Sequence, residues 1–192
     1  MELSLTDALI VIDIQNDFCE GGTVPVEGAF ALVKSLTTLS RRVQSVGGRV
    51  IATQDWHTEK HLSFVENGEK WPQHCVQGTE GANFHPNLKL PVGSIVIRKG
   101  ADPKIDAQSA FTESTFEETL RRHSVERLFI CGVPAELTVL KTALDARSLG
   151  FETLVVEDGI AALTRDAAEV ARAIEKMKTA GIEFVTSTEL AT

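Results

Sequence analysis

An alternation of short, almost wholly apolar runs with segments of helical periodicity narrows this chain to a small set of folds. Ala8 to Ile14 reads as a strand buried on both faces, the pattern of parallel sheets, with Asp13 at its end. Arg49 to Thr53, Ser94 to Arg98, Arg127 to Cys131, Thr153 to Val156 and Glu183 to Val185 repeat the pattern, giving six candidate strands. Between them, Leu32, Leu36, Leu39, Val43 and Val46 share one helical face, and Leu137, Leu140, Leu144, Ala146 and Leu149 largely share another. A third helix carries Val170, Ala171, Ile174 and Met177, with Thr164 as its expected N-cap and Gly181 as its stop. The spacing of Ser114 and Glu117 predicts a capping box for a short helix whose Phe116 and Leu120 face inward. Strands alternating with helices imply right-handed crossovers. The expected fold is therefore a doubly wound α/β domain, with a mostly parallel six-stranded sheet and helices on both faces.

A length of 192 residues suits one such domain, expected to span 1–192. The net charge of -8, with no local cluster of Lys and Arg, argues against nucleic acid and anionic membranes as partners. No apolar run reaches the ~18 residues of a membrane span, and the first residues lack a basic flank. Three cysteines at unrelated spacings (Cys19, Cys75, Cys131) make no disulfide framework, so a reducing cytoplasm is the expected location.

In doubly wound sheets ligands gather at the carboxyl ends of the strands, where Asp13, Asp55, Lys99 and the segment after Cys131 fall. The alternation breaks between Asp55 and Gly93, and a loop of that length in a compact domain is usually functional. It carries Asp55, His57, His61 and His74, imidazoles and a carboxylate that suit a borderline divalent cation. Zinc is the first expectation, with iron or manganese admitted by the same donors. Any one of these histidines alone reads as a surface or core residue; the cluster argues for ligation. His85 and His123 read as structural or solvated.

Asp13 closes a buried strand, where a carboxylate is costly unless it is paired or used as a base; the other reading is a turn residue. Lys99, also at a strand end, can project into the same crevice and hold Asp13 ionised, or lie exposed. Phe18 and Trp71 are flat walls suited to an aromatic substrate, or core residues.

The strings Val11-Ile12-Asp13-Ile14-Gln15-Asn16-Asp17-Phe18-Cys19, Asp55-Trp56-His57, Trp71-Pro72-Gln73-His74-Cys75-Val76 and Lys99-Gly100 resemble the nicotinamidases of the isochorismatase-like hydrolases. The likeness runs from Leu9 to about Ser187. It implies a metal held by Asp55, His57, His61 and His74, and an Asp-Lys-Cys triad of which Asp13 and Lys99 are two members. The third member departs from the pattern. Gly132-Val133-Pro134-Ala135-Glu136-Leu137-Thr138-Val139 places Thr138 where the family has its nucleophilic cysteine. A threonine hydroxyl ionises far above the thiol pKa of about 8.5 and needs a strong base.

Gln108 stands where the family commonly has a tyrosine, which changes the expected pocket wall. The family's unusual cis peptide falls at Val133-Pro134, where proline lowers the cis penalty from about 3 to about 1 kcal/mol. That bond is expected to be cis, with Val133 and Pro134 beside the substrate. The resemblance thus implies a metal-dependent amidohydrolase acting on nicotinamide or a similar small carboxamide, impaired or altered by Thr138, and possible assembly into a homo-oligomer. Two alternatives stand beside it: an isochorismatase-type hydrolase that needs no cysteine, and a catalytically inactive homologue that binds a small ligand.

Overall fold

A computed structural model describes residues 1–190. Among them the strands are β1 (Asp7–Ile12), β2 (Arg49–Asp55), β3 (Ile95–Lys99), β4 (Arg127–Gly132), β5 (Glu152–Ile160) and β6 (Glu183–Val185). The helices are α1 (Ala29–Ser45), α2 (Ser114–Arg122), α3 (Leu140–Ser148) and α4 (Ala167–Thr179). The strands form one parallel sheet in the order β3-β2-β1-β4-β5-β6. The chain steps outward from β1 to β3 and then returns to the other side of β1. The switch point therefore lies between the carboxyl ends of β1 and β4, where a doubly wound sheet opens a crevice.

The continuous hydrophobicity of β1 follows from its central position. Leu9 and Val11 pack into one core with Leu32, Leu36, Leu39 and Val43 of α1. Ala8, Ile10 and Ile12 point the other way, into a second core with Phe116 and Leu120 of α2, Ala143 of α3 and Met177 of α4. Helices thus cover both faces, as the alternation of patterns predicts.

Several boundaries differ from the expectations. β1 stops at Ile12 because Asp13 takes a left-handed φ of 50°, which no strand accommodates. β5 runs on to Ile160 through a register shift opposite Ile130 and Gly132; its exposed Glu157 and Asp158 hide that extension in the sequence. The N-cap of α4 is Asp166, whose carboxylate accepts from Ala168 N, whereas Thr164 accepts from Asp166 N in the preceding turn. Ser114 is the first residue of α2 rather than its cap; Glu113 holds the cap position without a side-chain bond to the helix. Gly181, with φ 77°, does follow the end of α4.

The segment between β2 and β3 has little regular structure, and its anchorage comes from isolated strand-like bridges. His57 pairs with Val76, Phe64 with Trp71, and Phe84 with Gln15. These bridges fold the loop over the carboxyl ends of β1 and β2.

Candidate active site and metal centre

The site is built outward from the buried ends of β1, β2 and β3. Asp55 and Lys99 are register partners at the ends of β2 and β3, so their side chains begin side by side. Lys99 is 1 % exposed, and its ammonium donates to Asp55 Oδ1 and lies 2.9 Å from Asp13 Oδ2. Asp13 Oδ1 accepts a 2.6 Å hydrogen bond from Thr53 Oγ1. Its Oδ2 has the ion pair but no hydrogen-bond partner of good angle, which leaves that oxygen available for a proton.

One buried cation between two buried carboxylates sets the local titration. Burial pushes Asp13 up to about 6 against the opposing pull of Lys99. Burial alone would also raise Asp55, but Lys99 and His57 hold it well below the usual carboxylate range. Burial alone would lower Lys99, and the two carboxylates instead raise it above the usual lysine range. Lys99 and Asp55 are therefore charged at neutral pH, and Asp13 is the member closest to exchanging its proton.

Asp55, His57 and His74 are all buried, and one ligand atom from each lies within 4.8 Å of the others. The two imidazoles are oriented by backbone carbonyls: His57 Nδ1 donates to Gly100 O at 3.1 Å and His74 Nδ1 to Pro72 O at 2.8 Å. Each Nε2 is thereby left with its lone pair for an ion, the arrangement that outer partners commonly impose on metal-binding histidines. His57 Nε2 faces Asp55 Oδ2 at 3.6 Å, an approach that lets both serve one ion. Burial lowers the pKa of His74, which favours the neutral, ligating form. This donor set fits a divalent metal ion.

Gly100 keeps its carbonyl beside the His57 ring with a φ of 70°, and a Cβ there would meet His57 Cε1 at 2.5 Å. At the switch point Gly132 has φ 113°, and a Cβ would meet Ile12 O at 2.1 Å; only glycine lets β4 approach β1 there.

His61 stands apart from the three-residue group. Its ring centroid is 4.1 Å from that of His57, but Nδ1 is bonded to Ser63 Oγ at 2.8 Å and Nε2 to Ile105 O at 3.0 Å. Both ring nitrogens are engaged here, and they tie this loop to the segment after β3.

A cavity with about 510 Å³ of empty space, partly open to solvent, lies against these donors. Its wall includes Asp55, His57, His74, Lys99 and Thr138, with Phe18, Trp71, Gln108, Pro134, Leu137 and Leu163. Thr138 is buried in a π-helical turn, Ala135–Val139, that leads from β4 into α3. The turn begins beyond the cis Val133-Pro134 bond. Val133, expected beside the substrate, is fully buried in the core and outside this wall. Asp13 is likewise enclosed and meets the cavity only through Lys99. Gln108 is held between Asp106 and Lys141 at the rim.

Sequence reasoning missed the residues that hold this site in place. Gln15 donates to Asp55 O at 2.8 Å and accepts from Asp55 N at 2.8 Å, pinning the backbone of a candidate ligand from both sides. Asp17 accepts from Cys75 N at 2.7 Å, next to His74. The signal for Gln15 was a polar residue two positions after a strand-end aspartate, with no means of naming its partner 40 residues away.

Comparison with protein families matches the isochorismatase domain to residues 7–189. The chain belongs to this family. Isochorismatase-domain relatives include the nicotinamidase of Escherichia coli, 34% identical over 93% of this chain and 94% of that protein. Among solved structures, pyrazinamidase of Pyrococcus horikoshii in complex with zinc superposes with a TM-score of 0.90. It is 39% identical and covers 94% of this chain and 99% of that one. PnC1 from L. infantum in complex with nicotinate has a TM-score of 0.90 and 37% identity over 98% of this chain and 96% of its own.

Proposed function

We propose that this isochorismatase-family protein is a metal-dependent amidohydrolase of the nicotinamidase kind, converting nicotinamide or a similar small carboxamide to its carboxylate and ammonia. The observation that carries this reading is the meeting of three buried donors and a buried aspartate-lysine pair at one cavity. Its support from relatives is an E. coli nicotinamidase, a zinc-bound pyrazinamidase and a nicotinate complex of the same fold.

Zinc is assigned to Asp55, His57 and His74, where it would supply a Lewis acid that orients the ring nitrogen of the substrate or a water. The protein supplies the rest. Phe18 and Trp71 offer flat faces to an aromatic ring, and Leu137 and Leu163 keep the cavity apolar. Lys99, locked between its two carboxylates, sets a positive charge beside the oxygen that becomes negative as the carboxamide carbon is attacked. Asp13 stands behind Lys99 and would draw off the proton of the attacking group by way of that ammonium. When that group is Thr138 Oγ1, a C–O bond forms, the C–N bond breaks and ammonia leaves with the proton. Water then cleaves the ester and restores the hydroxyl.

A second reading is favoured by one residue. Thr138 is a far weaker nucleophile than a thiolate, and a protein that binds the ring without turning it over would need no better. The decisive measurement is ammonia release from nicotinamide by the metal-loaded protein and by Thr138→Cys. Slow turnover by the native protein, rising about a hundredfold in the variant, is expected. Turnover by the variant alone assigns the native chain to ligand binding. Silence from both, with metal bound, overturns the amidase reading.

A further inference from the structure

One buried carboxylate beside the cavity takes no part in the chemistry above. Glu136 is 7 % exposed, and among the described residues its partners are backbone amides rather than a cation. Oε1 accepts from Leu163 N at 3.0 Å and from Thr164 N at 2.6 Å, and Oε2 from Leu163 N at 3.3 Å. Glu136 lies in the turn that carries Leu137 and Thr138, while Leu163 belongs to the connection from β5 to α4. Leu137, Thr138 and Leu163 all line the cavity. The carboxylate therefore joins two separate stretches of the cavity wall.

Leu163 also packs against the core, but among the described residues few other hydrogen bonds hold the connection there. Ala161 is held by backbone bonds on both sides, Ala135 N to Ala161 O at 2.8 Å and Ala161 N to Gly132 O at 3.3 Å. Beyond Thr164 the chain turns on itself into the Asp166 cap. Between these anchors the amides of Leu163 and Thr164 point at Glu136. Hydrogen bonds to an ionised acceptor are among the stronger ones, and losing the acceptor leaves two partly buried N–H groups without partners.

We infer that Glu136 is a positioning residue for the substrate cavity, holding the Leu163 wall against the turn that bears Leu137 and Thr138. It sets the fit of the cavity around a flat ring and does not enter the reaction. This part of the inference rests on the cavity being the carboxamide site. The tie itself does not.

The test uses the metal-loaded, full-length protein with Glu136→Ala and Glu136→Gln. Hydrogen exchange at Leu163 and Thr164 should accelerate about tenfold or more in Glu136→Ala, with β1 and β4 still protected. KM for nicotinamide should rise about tenfold with kcat within about twofold, and nicotinate affinity should fall in parallel. Glu136→Gln keeps one acceptor oxygen and should restore most of both effects. Unchanged exchange at residues 163 and 164, or a loss of protection spreading through β4, would overturn the inference. So would a fall in kcat at constant KM. A native protein that neither turns over nicotinamide nor binds nicotinate sinks the amidase reading instead, and local exchange still decides the fate of the tie.

Discussion

The two walls of the cavity are built on different principles. On the side of β1, β2 and β3 each aspartate is held by Lys99 and by a second residue: Asp13 by Thr53 at its side chain, Asp55 by Gln15 at its backbone. On the side of β4, Thr138 sits in a turn with Ala135, Leu137 and Val139, and that turn's acidic residue, Glu136, holds a loop. The charged wall is a preorganised electrostatic device in which each part depends on the others. The other wall is a scaffold on which one side chain can change with little consequence for the fold.

That contrast is most exposed to a cut through the charged wall. In metal-free protein, Lys99→Met leaves two buried carboxylates facing each other and should cost about 3–5 kcal/mol of stability in urea unfolding. Thr138→Cys in the same measurement should stay within about 1 kcal/mol. Comparable losses from the two variants would erase the distinction.

Metal titration sharpens it further. His57→Ala and His74→Ala should each weaken metal binding by about a hundredfold or more, and His61→Ala by less than about threefold. A loss at His61 equal to the others would restore the four-ligand set expected from the sequence.

The smallest effect is a pH dependence confined to the charged wall. Asp13 is pushed up to about 6, so between about pH 4 and 6 the folded protein holds a proton that the unfolded chain has released. Its stabilising contribution is therefore complete below about pH 4 and declines as pH rises toward 6. Denaturation of metal-free native protein and Asp13→Asn across this range should show a stability difference that shrinks with rising pH. A constant difference would place Asp13 outside the coupled cluster.

Most of the sheet was legible because burial on both faces leaves a nearly unbroken apolar run, as in β1 and β4. β5 was only half legible, since Glu157 and Asp158 continue the strand while exposed to water. The candidate residues Asp13, Asp55, His57, His74 and Lys99 could be singled out because acids and imidazoles at strand ends are conspicuous, and the structure brings them together. What they touch could not be read in the same way. His61 has the right type and place for a ligand, yet Ser63 and the Ile105 carbonyl claim its nitrogens. Gln15 and Glu136 act on backbone amides far along the chain, and a side chain that bonds to a peptide group leaves no mark on its partner's identity.

Gln15 has a consequence beyond its own bonds. A primary amide engaging both polar groups of the Asp55 peptide behaves like one more rung of sheet, splicing the tip of β2 to the chain leaving β1. Asp55 and Asp13 are thereby locked in a fixed mutual offset, whatever crosses the cavity. A fold made this way can change one side chain on the far side of the cavity, such as Thr138, and keep its charged floor level.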